Sequence, residues 1–349
     1  MEYWQQEVPD PPPGGMLIRM EMAGVCGTDA HRLSGDITFT GTPVIFGHEG
    51  IGRVEVLGDG ATCDIAGETL RAGDLVYWNP ITSCHRCYSC TIAQDVTVCP
   101  HAAWPASALT PNAAAFQEYA TLTSATEVYR IPDGVPPEAI IAFGCAMPTA
   151  IEGFRRLGGI GAGDIVVIQG SGPVGLASAM LAGLSPALHV IVIGAPDHRL
   201  RAAERIGATA AVSIESTCPQ ERAAMVRELS GGRGADVVIE ATGVLSAFDE
   251  GMPLLARNGR YLILGLFSGA GTVNLDPFRL NNLNLHLIGS FGIRPEARLR
   301  TIQLAQRYHA QLDLPGLITR RFHLRDTEAA IKSVGNGDAI KAIVTRGAR

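Results

Sequence analysis

The pattern of apolar and polar positions changes once along the chain, near residue 148. Before that point, short apolar or alternating segments end at Gly and Pro, which is typical of β-strands joined by tight turns. We expect a β-rich, barrel-like domain built from the segments MLIRMEMAGV, VIFGHEGIGRVEVLG, DLVYWNP and FQEYATL.

From about Pro148 to Gly289 the pattern becomes apolar strand, turn and amphipathic helix. Strands of continuous Val and Ile between such helices indicate a parallel sheet covered on both faces. The predicted strands are DIVVIQG, HVIVIG, DVVIEATG and GRYLILG, with helices from about Val174 to Leu184 and Asp197 to Ile206. The remainder, from about Phe291, has a helix near Glu296 to His309 and a strand KAIVTR, and could return to the first domain.

Composition restricts the possible functions. The 349 residues suggest two domains at roughly 150 residues each. A hydrophobic content of 46% and a net charge of −6, without a clustered basic face, favour an enzyme over a protein that binds nucleic acid or a membrane surface. The sequence has no secretory leader and no apolar run of about 18 residues, so we expect a reduced, cytoplasmic protein.

Four cysteines fall within sixteen residues, at Cys84, Cys87, Cys90 and Cys99. Such spacing occurs in the disulfides of small secreted domains and in the tetrahedral zinc sites of larger intracellular proteins. A chain of this length can bury a core without disulfides, so a structural zinc is favoured.

A second motif is Gly170-Ser-Gly172-Pro-Val-Gly175, which follows the strand DIVVIQ and opens a helix. Glycines there allow a tight turn and close backbone approach, with the helix N-terminus facing a pyrophosphate. The alternative is a glycine turn that only packs a helix on a sheet. The residues predicted to bind a dinucleotide are Gly170, Gly172, Pro173, Val174 and Gly175.

The end of the next strand carries Gly194, where dinucleotide-binding proteins usually have an acid that holds the adenosine ribose. Its absence removes a barrier to the 2′-phosphate of NADP, but no Arg or Lys follows at once. Arg199 could reach the cofactor or be an ordinary solvated residue of the next helix. We expect NAD, with NADP possible.

A dispersed set of metal-ligating residues consists of Cys26, the pair His48 and Glu49, and Cys145. Each alone is more typical of a core position. Together, two thiolates and one imidazole form the three-ligand set of a catalytic zinc, which leaves a fourth position open.

The chain resembles the zinc-dependent medium-chain dehydrogenases of the alcohol dehydrogenase family over nearly its whole length. The resemblance is carried, in order, by GVCGTDAH, GHEGIGRV, CHRCYSC with Cys99, GCAMPTA, GSGPVG and DVVIEATG. It implies a GroES-like zinc-binding catalytic domain at 1–147 and 291–349 and a Rossmann dinucleotide-binding domain, a doubly wound parallel sheet, at 148–290.

The resemblance also implies roles for single residues. Cys26, His48 and Cys145 would bind the catalytic zinc, with Glu49 beside them, and the four clustered cysteines would bind the structural zinc, giving two Zn²⁺ per chain. Thr28 would accept the proton of the substrate hydroxyl and pass it through the cofactor ribose to His31, which opens to solvent. Thr149 would pack on the nicotinamide and Lys341 would lie near the pyrophosphate.

The expected reaction is hydride transfer between NAD(P) and a secondary, bulky or cyclic alcohol or ketone. By the resemblance, Pro80, Trp104 and Phe116 line a mainly apolar substrate pocket with Thr28, although Trp104 and Phe116 could instead be core. Alternatives are a polyol or amino-alcohol dehydrogenase of the same family, a zinc-less reductase of activated double bonds, and a non-catalytic scaffold. The family also implies a homodimer or homotetramer.

Two departures from the family pattern concern spacing. Eight residues separate Cys90 from Cys99, where seven are common in the family. The opening strand of most relatives is largely absent before VPDPPPGGMLIRM. Either the true start lies upstream or the first barrel strand is missing.

Overall fold

Two units of the chain have separate hydrophobic cores in the computed structural model. Unit 1 comprises residues 1–145 and 294–349, and unit 2 comprises residues 146–293. The structure describes residues 1–37, 44–103, 112–267 and 271–347.

Unit 1 is built on a mixed, largely antiparallel sheet. Among the described residues seven strands form this sheet in the order β12-β13-β1-β2-β3-β5, and β4 pairs with β1 off that path. The strands are β1 (Met16–Gly24), β2 (Gly50–Leu57), β3 (Leu75–Asn79), β4 (Tyr119–Leu122), β5 (Glu127–Arg130), β12 (Ile318–His323) and β13 (Lys341–Thr345). The predicted β-rich domain is confirmed, and the C-terminal segment joins its sheet through β13.

One strand boundary differs from the sequence prediction. The segment VIFGHEG was predicted as part of a strand, but β2 begins only at Gly50. The residues before it have no regular structure, which leaves the His48 and Glu49 side chains free of the strict alternation of a pleated strand.

The core of unit 1 lies between this sheet and its helices. Ile18, Val76, Trp78 and Leu122 are completely buried there. The helices are α1 (Gly27–Ser34), α2 (Tyr88–Thr91), α3 (Pro137–Ile141), α10 (Pro295–Tyr308) and α11 (Thr327–Gly335).

Unit 2 contains the predicted parallel sheet. Its strands lie in the order β11-β10-β9-β6-β7-β8, and every pairing is parallel. The strands are β6 (Ile165–Gln169), β7 (His189–Gly194), β8 (Ala210–Ser213), β9 (Ala235–Glu240), β10 (Leu255–Ile263) and β11 (His286–Gly289). The helices are α4 (Ala146–Leu157), α5 (Pro173–Gly183), α6 (Asp197–Ile206), α7 (Pro219–Leu229), α8 (Leu245–Leu254) and α9 (Pro277–Asn282).

The strand order reverses direction at β6, which has β7 on one side and β9 on the other. In open parallel sheets, ligands bind outside the carboxyl ends of the strands at such a reversal. The turn that follows β6 therefore lies where a dinucleotide site is expected.

None of the described helices could cross a membrane. The longest, α10, has 14 residues, whereas a spanning helix needs about 20 apolar residues.

Candidate metal centres and dinucleotide turn

Cys26, His48, Glu49 and Cys145 converge in unit 1. One ligand atom from each lies within 4.8 Å of all the others, and the two sulfur atoms are 3.5 Å apart. Cys26 is the N-cap of α1, His48 and Glu49 directly precede β2, and Cys145 directly precedes α4. The fold thus brings together four residues that are spread over 119 positions of the sequence.

The donor set fits a divalent cation with a preference for sulfur and nitrogen. The hydrogen bond between the two sulfur atoms lowers the pKa of Cys26 and raises that of Cys145. Two thiolates this close, beside a carboxylate, are stable only with a cation between them. Thiolate, imidazole and carboxylate are the usual ligands of zinc.

Asp29 orients two of these residues, a role that the sequence interpretation missed. It is completely buried, its Oδ2 accepts from the Cys26 backbone N–H at 3.0 Å, and its Oδ1 lies 3.4 Å from His48 Nδ1. Burial lowers the pKa of the His48 imidazole, but the charges and hydrogen bonds of Asp29 and Cys26 together outweigh this effect and raise it to about 10. An acid at the third position of a helix that begins at a metal-ligating cysteine is the signal that could have identified it.

Lys341 forms a buried ion pair with Glu49. Its side chain is 1% exposed, and its Nζ pairs with Glu49 Oε2, which is equally buried. An ammonium enclosed in this way neutralises Glu49 inside unit 1, and its expected position near a cofactor pyrophosphate stays a prediction.

Glycines make room for this ion pair. A Cβ on Gly24 would overlap the Glu49 carboxylate and lie 2.9 Å from Lys341 Cε, and a Cβ on Gly144 would overlap the Glu49 carboxylate. Gly144 also has φ +53°, which other residues rarely adopt. The space taken by the buried Glu49 carboxylate therefore explains why both positions are glycine.

Thr28 and His31 lie three residues apart on α1. Thr28 Oγ1 is 3.7 Å from Cys26 Sγ, so its hydroxyl borders the metal-ligating set. His31 Nδ1 lies 3.1 Å from Asp36 Oδ2, and its side chain is 40% exposed. Residues at this spacing lie on the same face of a helix. Along that face, Thr28 borders the candidate metal set and His31 meets solvent.

The predicted substrate-pocket residues have different surroundings. Phe116 is 8% exposed and belongs to the hydrophobic core of unit 1, the alternative that the sequence left open. Its ring packs beside Gly47 and borders a cavity of about 770 Å³ lined also by the N-terminal segment. Pro80 is buried directly after β3. Trp104 lies outside the described residues.

The four clustered cysteines form a second set whose sulfur atoms lie within 4.8 Å of one another. Cys87 Sγ is 3.5 Å from Cys90 Sγ, and Cys99 Sγ is 3.5 Å from Cys84 Sγ. A hydrogen bond from the Arg86 backbone is the main cause that lowers the pKa of Cys84, to about 6. Four sulfur ligands in this arrangement fit a tetrahedral zinc.

The longer spacing before Cys99 is absorbed by local backbone geometry. Gln94 takes a left-handed conformation with φ 53°, and Asp95 caps the 3₁₀-helix Val96–Val98 through its side chain. This loop brings Cys99 back to the other three sulfur atoms despite the additional residue.

In unit 2 the glycine-rich turn joins β6 to α5. Gly170 has φ 108°, and a Cβ on Gly175 would overlap the Gly170 carbonyl oxygen, so both positions require glycine. Gly172 is the N-cap of α5 and Pro173 is its first residue. Gly172, Pro173 and Val174 are partly exposed, as is Thr149 on α4. The free N–H groups at this helix start are suited to bind a phosphate.

Gly194, at the end of β7, has no space for a side chain. A Cβ there would lie 2.6 Å from Ser171 Oγ and 2.9 Å from Ser171 N. Ser171 Oγ donates to the Ala195 carbonyl at 2.8 Å and so closes the turn onto β7. Arg199, near the start of α6, is partly buried, and burial lowers its pKa.

Comparison with known proteins gives a consistent set of matches. Residues 12–133 match the family model of the alcohol dehydrogenase GroES-like domain, and residues 173–307 match that of the zinc-binding dehydrogenase. The chain is 42% identical to 5-exo-hydroxycamphor dehydrogenase of Pseudomonas putida, over 99% of this chain and 95% of that protein.

Two solved structures are also similar. An alcohol dehydrogenase from Thermotoga maritima superposes with a TM-score of 0.90 at 31% identity, covering 97% of this chain and 94% of that one. A zinc-binding dehydrogenase from Sinorhizobium meliloti 1021, bound to NADP, gives a TM-score of 0.83 at 28% identity, with the same two coverages.

Replacing Cys87 tests the four-cysteine set. We expect Cys87→Ser to remove about one zinc ion per chain and to lower the thermal unfolding midpoint, because a lobe with few apolar contacts depends on its metal. Cys63→Ser is the matched control, since Cys63 is an exposed free thiol. Metal analysis of the two purified variants is the measurement, and an unchanged zinc content in Cys87→Ser would contradict the assignment.

A pair of glycine variants tests the turn. Gly194→Ala should destabilise the cofactor-free protein by about 1–3 kcal/mol, because the added methyl displaces Ser171. At Gly172 an added Cβ meets nothing within 4 Å, so Gly172→Ala should cost less stability and mainly weaken dinucleotide binding. Thermal unfolding and dinucleotide titration of both variants separate the two effects, and equal stabilities would refute the steric argument.

Proposed function

This chain belongs to the zinc-containing medium-chain dehydrogenase/reductase family, and on that premise we propose that it oxidises a bulky, cyclic secondary alcohol with NAD(P), or reduces the corresponding ketone. The observation that carries the reaction type is the convergence of Cys26, His48 and Cys145 with Thr28 at the edge of that set. The similarity to a hydroxycamphor dehydrogenase supports a cyclic substrate.

The proposed metal set assigns one task to each residue. Cys26, His48 and Cys145 would bind zinc, which when bound supplies a Lewis acid that acidifies a substrate alcohol or polarises a ketone. Asp29 holds His48 with Nδ1 toward its carboxylate, which leaves Nε2 as the ligand atom. Glu49 is held by Lys341 and by the Cys145 backbone N–H, so it stays beside the set with its charge balanced.

Thr28 and His31 would handle the proton. The Thr28 hydroxyl accepts the proton of the substrate alcohol, and His31, whose side chain is exposed, exchanges a proton with solvent. Removing the proton prevents a buried charge from opposing hydride transfer.

The cofactor would bind on unit 2 at the turn from Gly170 to Gly175, with its pyrophosphate at the start of α5. The bound dinucleotide supplies the hydride acceptor or donor. We propose NAD as the cofactor, because no Arg or Lys directly follows Gly194. NADP is also accepted, because Gly194 excludes an acidic side chain that would repel the 2′-phosphate, and Arg199 is the nearest basic residue of α6.

A polyol or amino-alcohol substrate is the alternative within the family. Cys145 supports a cyclic alcohol substrate, because in the polyol or amino-alcohol alternative Glu49 or a water would replace a thiolate ligand.

We also propose a cytoplasmic homodimer or homotetramer, assembled edge to edge through the cofactor domains. The eight cysteines, none of which forms a disulfide in the structure, support a reducing compartment.

The proton-relay residue gives a mechanistic test. Thr28→Ala should lower kcat by about 10²–10⁴-fold because the substrate proton loses its acceptor, whereas Thr28→Ser should retain most of the activity. Cys26→Ser should abolish turnover while the fold remains. Full activity in Thr28→Ala would show that another group accepts the proton.

A panel of secondary alcohols of graded size tests the substrate class. We expect kcat/KM to rise from small linear to monocyclic and bicyclic alcohols, because each additional buried CH₂ in an apolar cleft contributes about 0.8 kcal/mol. Sorbitol and L-threonine serve as polyol and amino-alcohol controls. A preference for either control would favour the alternative.

A further inference from the structure

A buried chain of polar side chains in unit 1 ends on the peptide group that precedes Cys145. We propose that Arg298 and Tyr77 are positioning residues that orient Cys145 toward the metal. This inference rests on the proposed function, because it takes Cys145 to be a ligand. Neither residue touches the metal-ligating atoms.

The contact on one side of that peptide comes from β3. The Tyr77 hydroxyl donates to the Gly144 carbonyl oxygen at 3.1 Å and accepts from Arg298 Nη1 at 2.7 Å. The guanidinium also lies over the Tyr77 ring, 5.2 Å from its centroid. Tyr77 is completely buried and Arg298 is 2% exposed, so water does not compete for these bonds.

The contact on the other side comes from Glu49. Its Oε1 accepts from the Cys145 backbone N–H at 2.8 Å. The Gly144 carbonyl and the Cys145 N–H belong to the same planar peptide unit. Tyr77 and Glu49 thus hold this peptide plane at its carbonyl oxygen and at its N–H. The orientation of the plane restricts the direction of the Cys145 Cα–Cβ bond.

Arg298 is itself fixed by a polar ladder. Its Nη2 donates to Asn79 Oδ1 at 3.0 Å, and Asn79 Nδ2 donates to Glu127 Oε2 at 3.0 Å. Burying a guanidinium costs more free energy than an apolar side chain of similar volume. That cost has an explanation if the guanidinium holds Tyr77 in the rotamer that reaches Gly144.

Tyr129 is a matched control within the same sheet. It pairs with Tyr77 across β3 and β5, is 1% exposed, and also uses its hydroxyl in buried hydrogen bonds. Those bonds go to the Pro295 carbonyl at 3.1 Å and to Glu127 at 3.3 Å. Tyr129→Phe therefore removes an equivalent buried hydroxyl that has no hydrogen bond to the peptide before Cys145 and meets the Arg298 ladder only at its far end, at Glu127.

The experiment measures zinc release from the holoenzyme to a metallochromic chelator. The kinetic phase that is missing in Cys26→Ser identifies the catalytic-site metal. We expect Tyr77→Phe to accelerate that phase about tenfold, in the range found for residues that support metal ligands, and Tyr129→Phe to leave it unchanged. Both should lower the thermal midpoint to a similar extent.

Variants of Arg298 and cobalt substitution add readouts independent of turnover. The rate of the same phase should increase from wild type to Arg298→Lys to Arg298→Met, because lysine keeps a cationic donor. In the Co²⁺-substituted enzyme, Tyr77→Phe should shift the thiolate-to-cobalt absorption band, and Tyr129→Phe should not.

Two results would overturn the inference alone. One is equal release rates in wild type and Tyr77→Phe, and the other is equal acceleration in both tyrosine variants, which would indicate a general packing effect. If wild type and Cys26→Ser contained the same zinc and released it identically, the proposed metal set would be wrong and this inference with it.

Discussion

The buried carboxylate of Glu49 is the constraint around which the candidate metal centre is organised. A charge that is 1% exposed is stable only with a partner, and here Lys341 of β13 provides it. The same carboxylate accepts from the backbone of Cys145. One side chain thus ties the start of β2 to β13 and to the residue before α4. Gly24 and Gly144 lack side chains where this pair needs the space.

The two cysteine sets illustrate two ways to prepare a metal site. In the four-cysteine lobe, the sulfur atoms are mostly half-buried and the ligands come from one short segment, so local turns and the metal itself define the geometry. The site at Cys26 draws its ligands from distant parts of unit 1. Buried residues around it, among them Asp29, Glu49 and Tyr77, orient the ligands through hydrogen bonds, which suits a centre that keeps a position open for substrate.

Elements with a strong local signal were predicted well. The predicted helix at Asp197–Ile206 has the same bounds in the structure, and α5 and α10 differ from prediction by one residue at each end. The helices α6 and α10 have amphipathic periodicity, α5 is an apolar helix that directly follows the glycine turn, and all three begin near Pro. The segment before Gly50 was predicted as strand and is irregular, since apolar residues beside a ligand pair produce the same pattern as a strand. The ion pair of Lys341 with Glu49 was not predicted, because sequence does not reveal that an ammonium is enclosed.

By itself, the sequence determined the family, the two fold types and the identity of the candidate ligands, because these depend on short motifs and on periodicity that local physics imposes. Only the tertiary structure decided which side chains support those ligands. Asp29, Lys341 and Arg298 carry ordinary charges in the sequence, and Arg298 lies 219 positions after Asn79, to which it donates a hydrogen bond. Their roles follow from burial, since a charge removed from water must find partners wherever the fold has placed them.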